Sequence, residues 1–254
     1  MLKADPEQAR PALRAAVAAG RQAGRQAGGP ALLSEALAMA SIAENMAGND
    51  AAARHLLADA RAAVIGVDYP PGAISVLQAE TLNGFFTGDF RSAKSAASQG
   101  VRLALEANDR YTLEMMQLNL GSAALLTGDL SEARPLLEQA LMVGSQIDDR
   151  VGQFYLPDAL GCHAALTGNA RRAAQLFGAA DTARTEAGAN VMRFFAPLCA
   201  KARESAVTAL GAARFAAAFD TKRRLGRDTA IQLALGQPAP SAAGTSPGSS
   251  PSAP

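Results

Sequence analysis

The chain has 254 residues and a formal net charge of +1, with 49% apolar residues, 5% aromatic residues and no tryptophan. The apolar share is enough to build a sizeable core and excludes wholesale disorder, and the near-neutral charge argues against a dedicated nucleic-acid binder. Alanine, roughly a quarter of the chain, has the best intrinsic helix propensity and little here favours strands, so the composition predicts an all-α protein of thin, closely spaced helices.

The chain opens on MLKADPEQAR, which lacks the apolar core of a signal peptide. No uncharged apolar run reaches the ~18 residues of a membrane span. The only cysteines are Cys162 and Cys199, which excludes a disulfide framework and fits reduced thiols in the cytoplasm. Four of the 24 basic residues are lysine, an arginine bias typical of a GC-rich genome.

The first predicted helix, Pro6 to Gly20, reads like the later segment Ser131 to Gly144, and both contain Ala-Arg-Pro (Ala9 to Pro11, Ala133 to Pro135). The chain thus begins on the second helix of a repeat whose first helix is missing. Its apolar positions Ala9, Leu13, Ala16 and Val17 form an open face, which predicts a partner chain, a fold-back or an upstream domain at this end. The glycine-rich stretch Gly20 to Gly29 closes the helix and Pro30 helps open the next.

From there a repeat of 40 residues organises the sequence. TGDF (Thr87 to Phe90), TGDL (Thr127 to Leu130) and TGNA (Thr167 to Ala170) recur in register, with AGND (Ala47 to Asp50) one period earlier. Gly48, Gly88, Gly128 and Gly168 therefore share a column. So do Ala53, Ala93, Ala133 and Ala173; Leu57, Ala97, Leu137 and Phe177; and Ala60, Gly100, Ala140 and Ala180. In each unit a first helix, for example Tyr111 to Leu126 with Leu113, Met116, Leu120 and Leu125, ends at a glycine that tolerates left-handed backbone. Asn49, Asp89 or Asp129 then stands at the N-cap position. A second helix follows, as in Leu130 to Val143, presenting Ala133, Leu137 and Ala140 on one face. Such hairpins must stack to bury that face.

These motifs resemble the tetratricopeptide repeat. Leu160-Gly161, Ala164, Ala173, Phe177, Ala180 and Leu120-Gly121, Ala124, Ala133, Leu137, Ala140 follow its L-G…A…F…A order; the two earlier units keep the later half alone. HEAT-type pairs are the competing label. The family period is about 34 residues, so each unit carries roughly six more, expected in the second helix and the connection after it.

After the fourth unit the pattern predicts one helix over Val191 to Leu210 and two shorter ones, Gly211 to Arg224 and Asp228 to Leu235, with a disordered tail at 237–254 rich in Pro, Ser, Ala and Gly. The domain reading is a partial repeat over 1–29, four hairpins to 188, and a helical cap over 189–236. The run Ala209-Leu210-Gly211…Phe215 to Phe219…Asp228 to Leu235, with Arg172 to Ala180 before it, resembles the C-terminal part of the large actinobacterial LuxR-type regulators, which are STAND ATPases. The family often has Trp where Phe219 stands and Gly where Lys222 stands. The resemblance implies a P-loop ATPase before the repeats and a helix-turn-helix after them. Neither is legible here: no lysine follows a glycine, as a Walker A motif requires, and about 19 residues after Leu235 are too few for a DNA-reading domain.

Candidate sites are sparse. Cys162 and His163 are helical neighbours that point about 100° apart and cannot jointly hold a metal, and His55 is far away in sequence. A Cys–His nucleophile would need a third, orienting group. Asp109-Arg110 and Asp149-Arg150 recur with the repeat and read as junctions in which Asp caps the next helix. Lys222, Arg223, Arg224 and Arg227 read as a solvated helix end, and Phe85 and Phe86 as core. The sequence therefore predicts no catalytic, cofactor-binding or metal-binding residue. It predicts a non-catalytic interaction or regulatory module, a sensor or scaffold taking a protein or peptide in its concave groove. The alternative is a transcription-regulator subunit acting with a separate ATPase or DNA-binding chain.

Overall fold

A computed structural model describes residues 6–23, 29–149, 152–187, 191–223 and 227–235. Every regular element among them is an α-helix. The chain opens with α1 (Pro6–Ala23) and then folds into four consecutive pairs: α2 (Gly29–Met46) with α3 (Asp50–Val64), α4 (Pro70–Thr87) with α5 (Phe90–Glu106), α6 (Arg110–Thr127) with α7 (Leu130–Gln146), and α8 (Gly152–Leu166) with α9 (Ala170–Ala187). Three further helices, α10 (Ala196–Leu210), α11 (Ala212–Arg223) and α12 (Arg227–Ala234), pack over the last pair. No described helix is long and apolar enough to cross a membrane. The predicted tail at 237–254 lies outside the described residues.

The turn within each pair follows from one residue. Gly48, Gly88, Gly128 and Gly168 adopt φ of +83°, +79°, +85° and +81°, where a Cβ would be strained. The caps that follow divide. Asp89 accepts the Ser92 amide hydrogen, Asp109 that of Thr112, and Asn169 that of Arg172. Asn49 and Asp129 do not cap through their side chains. Asn49 instead donates to Glu44 at 2.6 Å, and Asp129 accepts from Lys94 at 2.7 Å, because a charged or amide partner from a neighbouring helix competes with the local amide.

The repeat columns meet inside each pair. Ala53, Ala93, Ala133, Ala173, Leu57, Leu137 and Phe177 are all buried. A Cβ on Gly121 would lie 2.7 Å from the Leu137 side chain, and one on Gly161 would lie 2.9 Å from the Phe177 ring. The glycine of L-G is thus the seat for the large residue of the second helix, whose burial contributes about 1.5–3 kcal/mol. The earlier pairs place Ser41 and Thr81 in that column, both fully buried; the Ser41 hydroxyl donates to the Ala53 carbonyl across the pair at 2.8 Å. First and second helices have similar lengths, 18 and 15, 18 and 17, 18 and 17, 15 and 18 residues, so the surplus over the shorter repeat is not confined to the second helix.

Helix α1 runs three residues past Gly20 and lies on α2. Val17 is buried, Leu13 packs against the same core, and Gly20 touches Leu33. Ion pairs Arg10–Glu44 at 3.1 Å and Arg21–Asp59 at 3.0 Å hold its polar flank. Of the arrangements expected at this end, the described residues show a fold-back: Val17 and Leu13 of α1 pack on the first full hairpin, while Ala9 and Ala16 face solvent.

The single helix expected over Val191 to Leu210 is also corrected. Residues 191–195 are non-helical, and α10 starts only after Phe195, with Pro197 in its first turn. Pro suits that position because it has no amide hydrogen to leave unpaired. At the far end, α11 approaches α9 so closely that a Cβ on Gly178 would run into the Phe219 backbone carbonyl. Arg203 lies 5.0 Å from the Phe177 ring centre and 5.4 Å from that of Phe219, tying the cap to the last repeat column. Gly178→Ala should therefore displace α11 and lower stability by about 1–3 kcal/mol. Chemical denaturation checks this, and the same substitution at exposed Gly88 should cost through backbone strain alone.

Candidate functional site on the inner face

Segment 191–195 does not stay with the cap. It crosses the face formed by the first helices and reaches the other end of the array. The Phe194 ring stacks on Phe85 at 4.5 Å between centres and meets Phe86 edge-on at 5.3 Å. Arg193 sits 5.0 Å from the centre of the Phe86 ring, donates to the Asn45 carbonyl at 3.3 Å and pairs with Asp50 at 3.4 Å. Phe85 is buried in the core, as its sequence position implied, whereas Phe86 is half-buried at its edge, and both receive this strap. Phe194 and Leu126 contact both apolar clusters, one from α1 to α6 and the other from α6 onward.

The strap roofs a cavity of about 170 Å³. Val191, Met192, Phe194 and Phe195 form one wall. Leu82 of α4 and Met115 and Leu118 of α6 form the apolar floor. The polar groups come from three places: Tyr111, Glu114, Asn119 and Ser122 on α6, Asp149 on the α7–α8 connection, and Tyr155 and Asp158 on α8. Among the described residues that line it there is no lysine, arginine or histidine.

Glu114 is 1% exposed. Its side chain lies against Gly144 of α7, where a Cβ would come within 2.9 Å of Oε1, and that oxygen has no hydrogen-bond partner. Burial, reinforced by a hydrogen bond to Asp149 and that carboxylate's charge, pushes Glu114 up to about 9. At neutral pH it is a carboxylic acid hydrogen-bonded to Asp149. Burial also raises the Tyr111 and Tyr155 phenols. Asp158, 2% exposed, is held by a buried ion pair with Arg184, itself 9% exposed. Burial outweighs that pairing and leaves Asp158 above the ordinary carboxylate range.

Other expected residues are placed away from this cavity. The Cys162 and Cys199 thiols meet at 3.5 Å between α8 and α10, buried and free. The hydrogen bond to Cys199, together with burial, holds the Cys162 thiol far above its ordinary range, so it is no nucleophile. His163 Nε2–H donates to the Leu130 carbonyl at 3.0 Å, and burial lowers its basicity. Cys162 and His163 do not converge on one point, and no group of three potential metal ligands exists among the described residues. Asp109 caps α6 as the repeat implied, whereas Asp149 turns to Glu114. The side chains of Lys222, Arg223, Arg224 and Arg227 fall outside the described residues, as does Arg150. Glu114, Asp158 and the strap gave no sequence signal. A carboxylate inside an amphipathic helix reads as solvated, and Glu114 is buried here against Gly144 and Asp149, 30 and 35 positions away.

No family model and no curated protein matches the sequence. Among solved structures, the crystal structure of BtubC (BKLC) from P. vanneervenii superposes with a TM-score of 0.62 over 98% of this chain and 99% of that one, at 14% identity. That likeness is one of fold.

Proposed function

We propose that the chain is a non-catalytic sensor or scaffold module, a stack of tetratricopeptide-like hairpins that takes a ligand on its inner face and presents its outer helices to a partner. The observation that carries this reading is the cavity under the strap: a partly open, mainly apolar hollow with a few polar groups is the usual form of a small-ligand site. The inner face is partly filled by the chain's own residues 191–195, which favours a compact ligand over a long peptide laid along the groove. The likeness of Ala209 to Leu235 to the closing motif of LuxR-type regulators supports a regulatory setting, in which ATPase and DNA-reading functions belong to other domains or chains.

The experiment is a thermal-shift screen of a mixed small-metabolite library against the wild-type chain and Leu118→Trp, which fills the cavity. NMR of each hit follows. Ligands are expected to raise the wild-type melting temperature, to leave the variant unmoved, and to be recovered unchanged. The chain should neither hydrolyse ATP nor shift duplex DNA at physiological salt. Turnover of a hit, ATP hydrolysis or specific DNA binding contradicts the reading, and so does a library in which every hit also shifts Leu118→Trp.

A further inference from the structure

Resting on the sensor reading, the chemistry of the cavity narrows what it admits. The lining holds a carboxyl pair, Glu114 and Asp149, and among the described residues that line the cavity there is no lysine, arginine or histidine. Asp158 is already matched by Arg184. Among the described residues Glu114 has no ion pair; it is 1% exposed, and its Oε1, beside Gly144, has no hydrogen-bond partner. A buried acceptor in that state costs free energy until a donor reaches it. Four aromatic rings, Tyr111, Tyr155, Phe194 and Phe195, share the lining, and aromatic faces attract cations. Beside them the lining carries aliphatic and thioether surface from Met115, Leu118 and Met192. A cavity of about 170 Å³ is of the size class that holds one aromatic ring, since a cavity of roughly 150 Å³ admits benzene.

We propose that this cavity binds a small amphiphilic monoamine, with its ammonium hydrogens directed to Glu114 and Asp149 and its single ring or short alkyl body against Met115, Leu118 and Met192. Anions are disfavoured by the carboxyls, and a neutral isostere lacks the charge that an ionised Glu114 would meet. Binding is therefore coupled to protons: seating the ammonium ionises Glu114 and releases its proton to solvent. The other titratable groups that line the cavity are Asp149, Tyr111, Tyr155 and Asp158, the last with Arg184, Arg203 and Asp181 around it. The phenols stay protonated at neutral pH, and Asp158 is ion-paired with Arg184 whether or not the cavity is filled, so one proton, that of Glu114, accounts for the exchange.

The test uses the full chain and calorimetric titration with phenethylamine, phenethyl alcohol, phenylacetate and Nα-acetyl-lysine amide, in buffers of different ionisation enthalpy at pH 7.5. Phenethylamine is expected to bind at least tenfold more tightly than the alcohol and the acid, with release of close to one proton. Glu114→Gln should weaken the amine at least tenfold and abolish proton release, while leaving the alcohol unchanged; Leu118→Trp should remove all binding. The inference is overturned if the amine binds no better than the alcohol, or if Glu114→Gln keeps its affinity within twofold. It is also overturned if no proton is released, or if the lysine derivative binds more tightly than phenethylamine, which would make the occupant a peptide side chain. Failure of the amine alongside cavity-dependent hits of another class leaves the sensor reading standing, so the two fail separately.

Discussion

Replacing Arg184 with alanine is expected to lower the stability of the folded chain by about 3–5 kcal/mol, the cost of stranding one member of a buried ion pair. Asp158 and Arg184 join α8 to α9, both are nearly inaccessible, and Arg184 lies a further 3.6 Å from Asp181. Without the guanidinium, Asp158 must take up a proton or draw in water. The deficit should therefore shrink in acid, where protonation is cheap. The double variant Asp158→Leu with Arg184→Met should recover most of the loss, since apolar groups of similar volume replace buried pairs without penalty. Urea denaturation of the three chains at pH 5 and pH 8 checks this, and a loss equal at both pH values would mean that charge is not its origin.

A second large effect attaches to Glu114. Its carboxyl titrates at about 9 in the folded chain against 4.5 for the ordinary group. Between those values the folded state holds a proton that the unfolded state has given up, so stability falls as pH rises. The slope approaches about 1.4 kcal/mol per pH unit from this one group. The contribution is fully present below pH 4.5 and lost as pH climbs through about 9. Glu114→Gln keeps the shape and cannot ionise. The variant should match the wild type near pH 5 and exceed it increasingly toward pH 9, as melting temperatures across that range will show. Parallel pH profiles for the two chains would remove Glu114 as the titrating group.

Both predictions concern residues that the sequence did not mark, and the reason is physical. The glycines at 48, 88, 128 and 168 were legible because a left-handed turn is a local requirement. Ala133, Leu137 and Ala140 were legible because helical spacing declares a face. Glu114 sits on the same helix as Met116 and Leu120, and nothing within its own turn distinguishes it from a solvated acid. Its burial is made by Gly144 of α7 and by Asp149, both distant in sequence. Phe194 is equally silent, since an aromatic residue before Pro197 reads as part of an entering helix until its distant partner is known. The Cys162–Cys199 encounter across α8 and α10 depends in the same way on how the cap folds back.

The strap also alters the order in which the molecule can be completed. An array whose units touch only their neighbours can fold as it is synthesised, each hairpin closing on the one before. Here Phe85 and Phe86 wait for Phe194, made 109 residues after Phe85. At ordinary translation rates that interval lasts about 5–20 s. During it the inner face of the nascent chain stands open with its aromatic pair uncovered. That gives a chaperone, or a second nascent copy's own Phe194, a defined interval in which to reach it first.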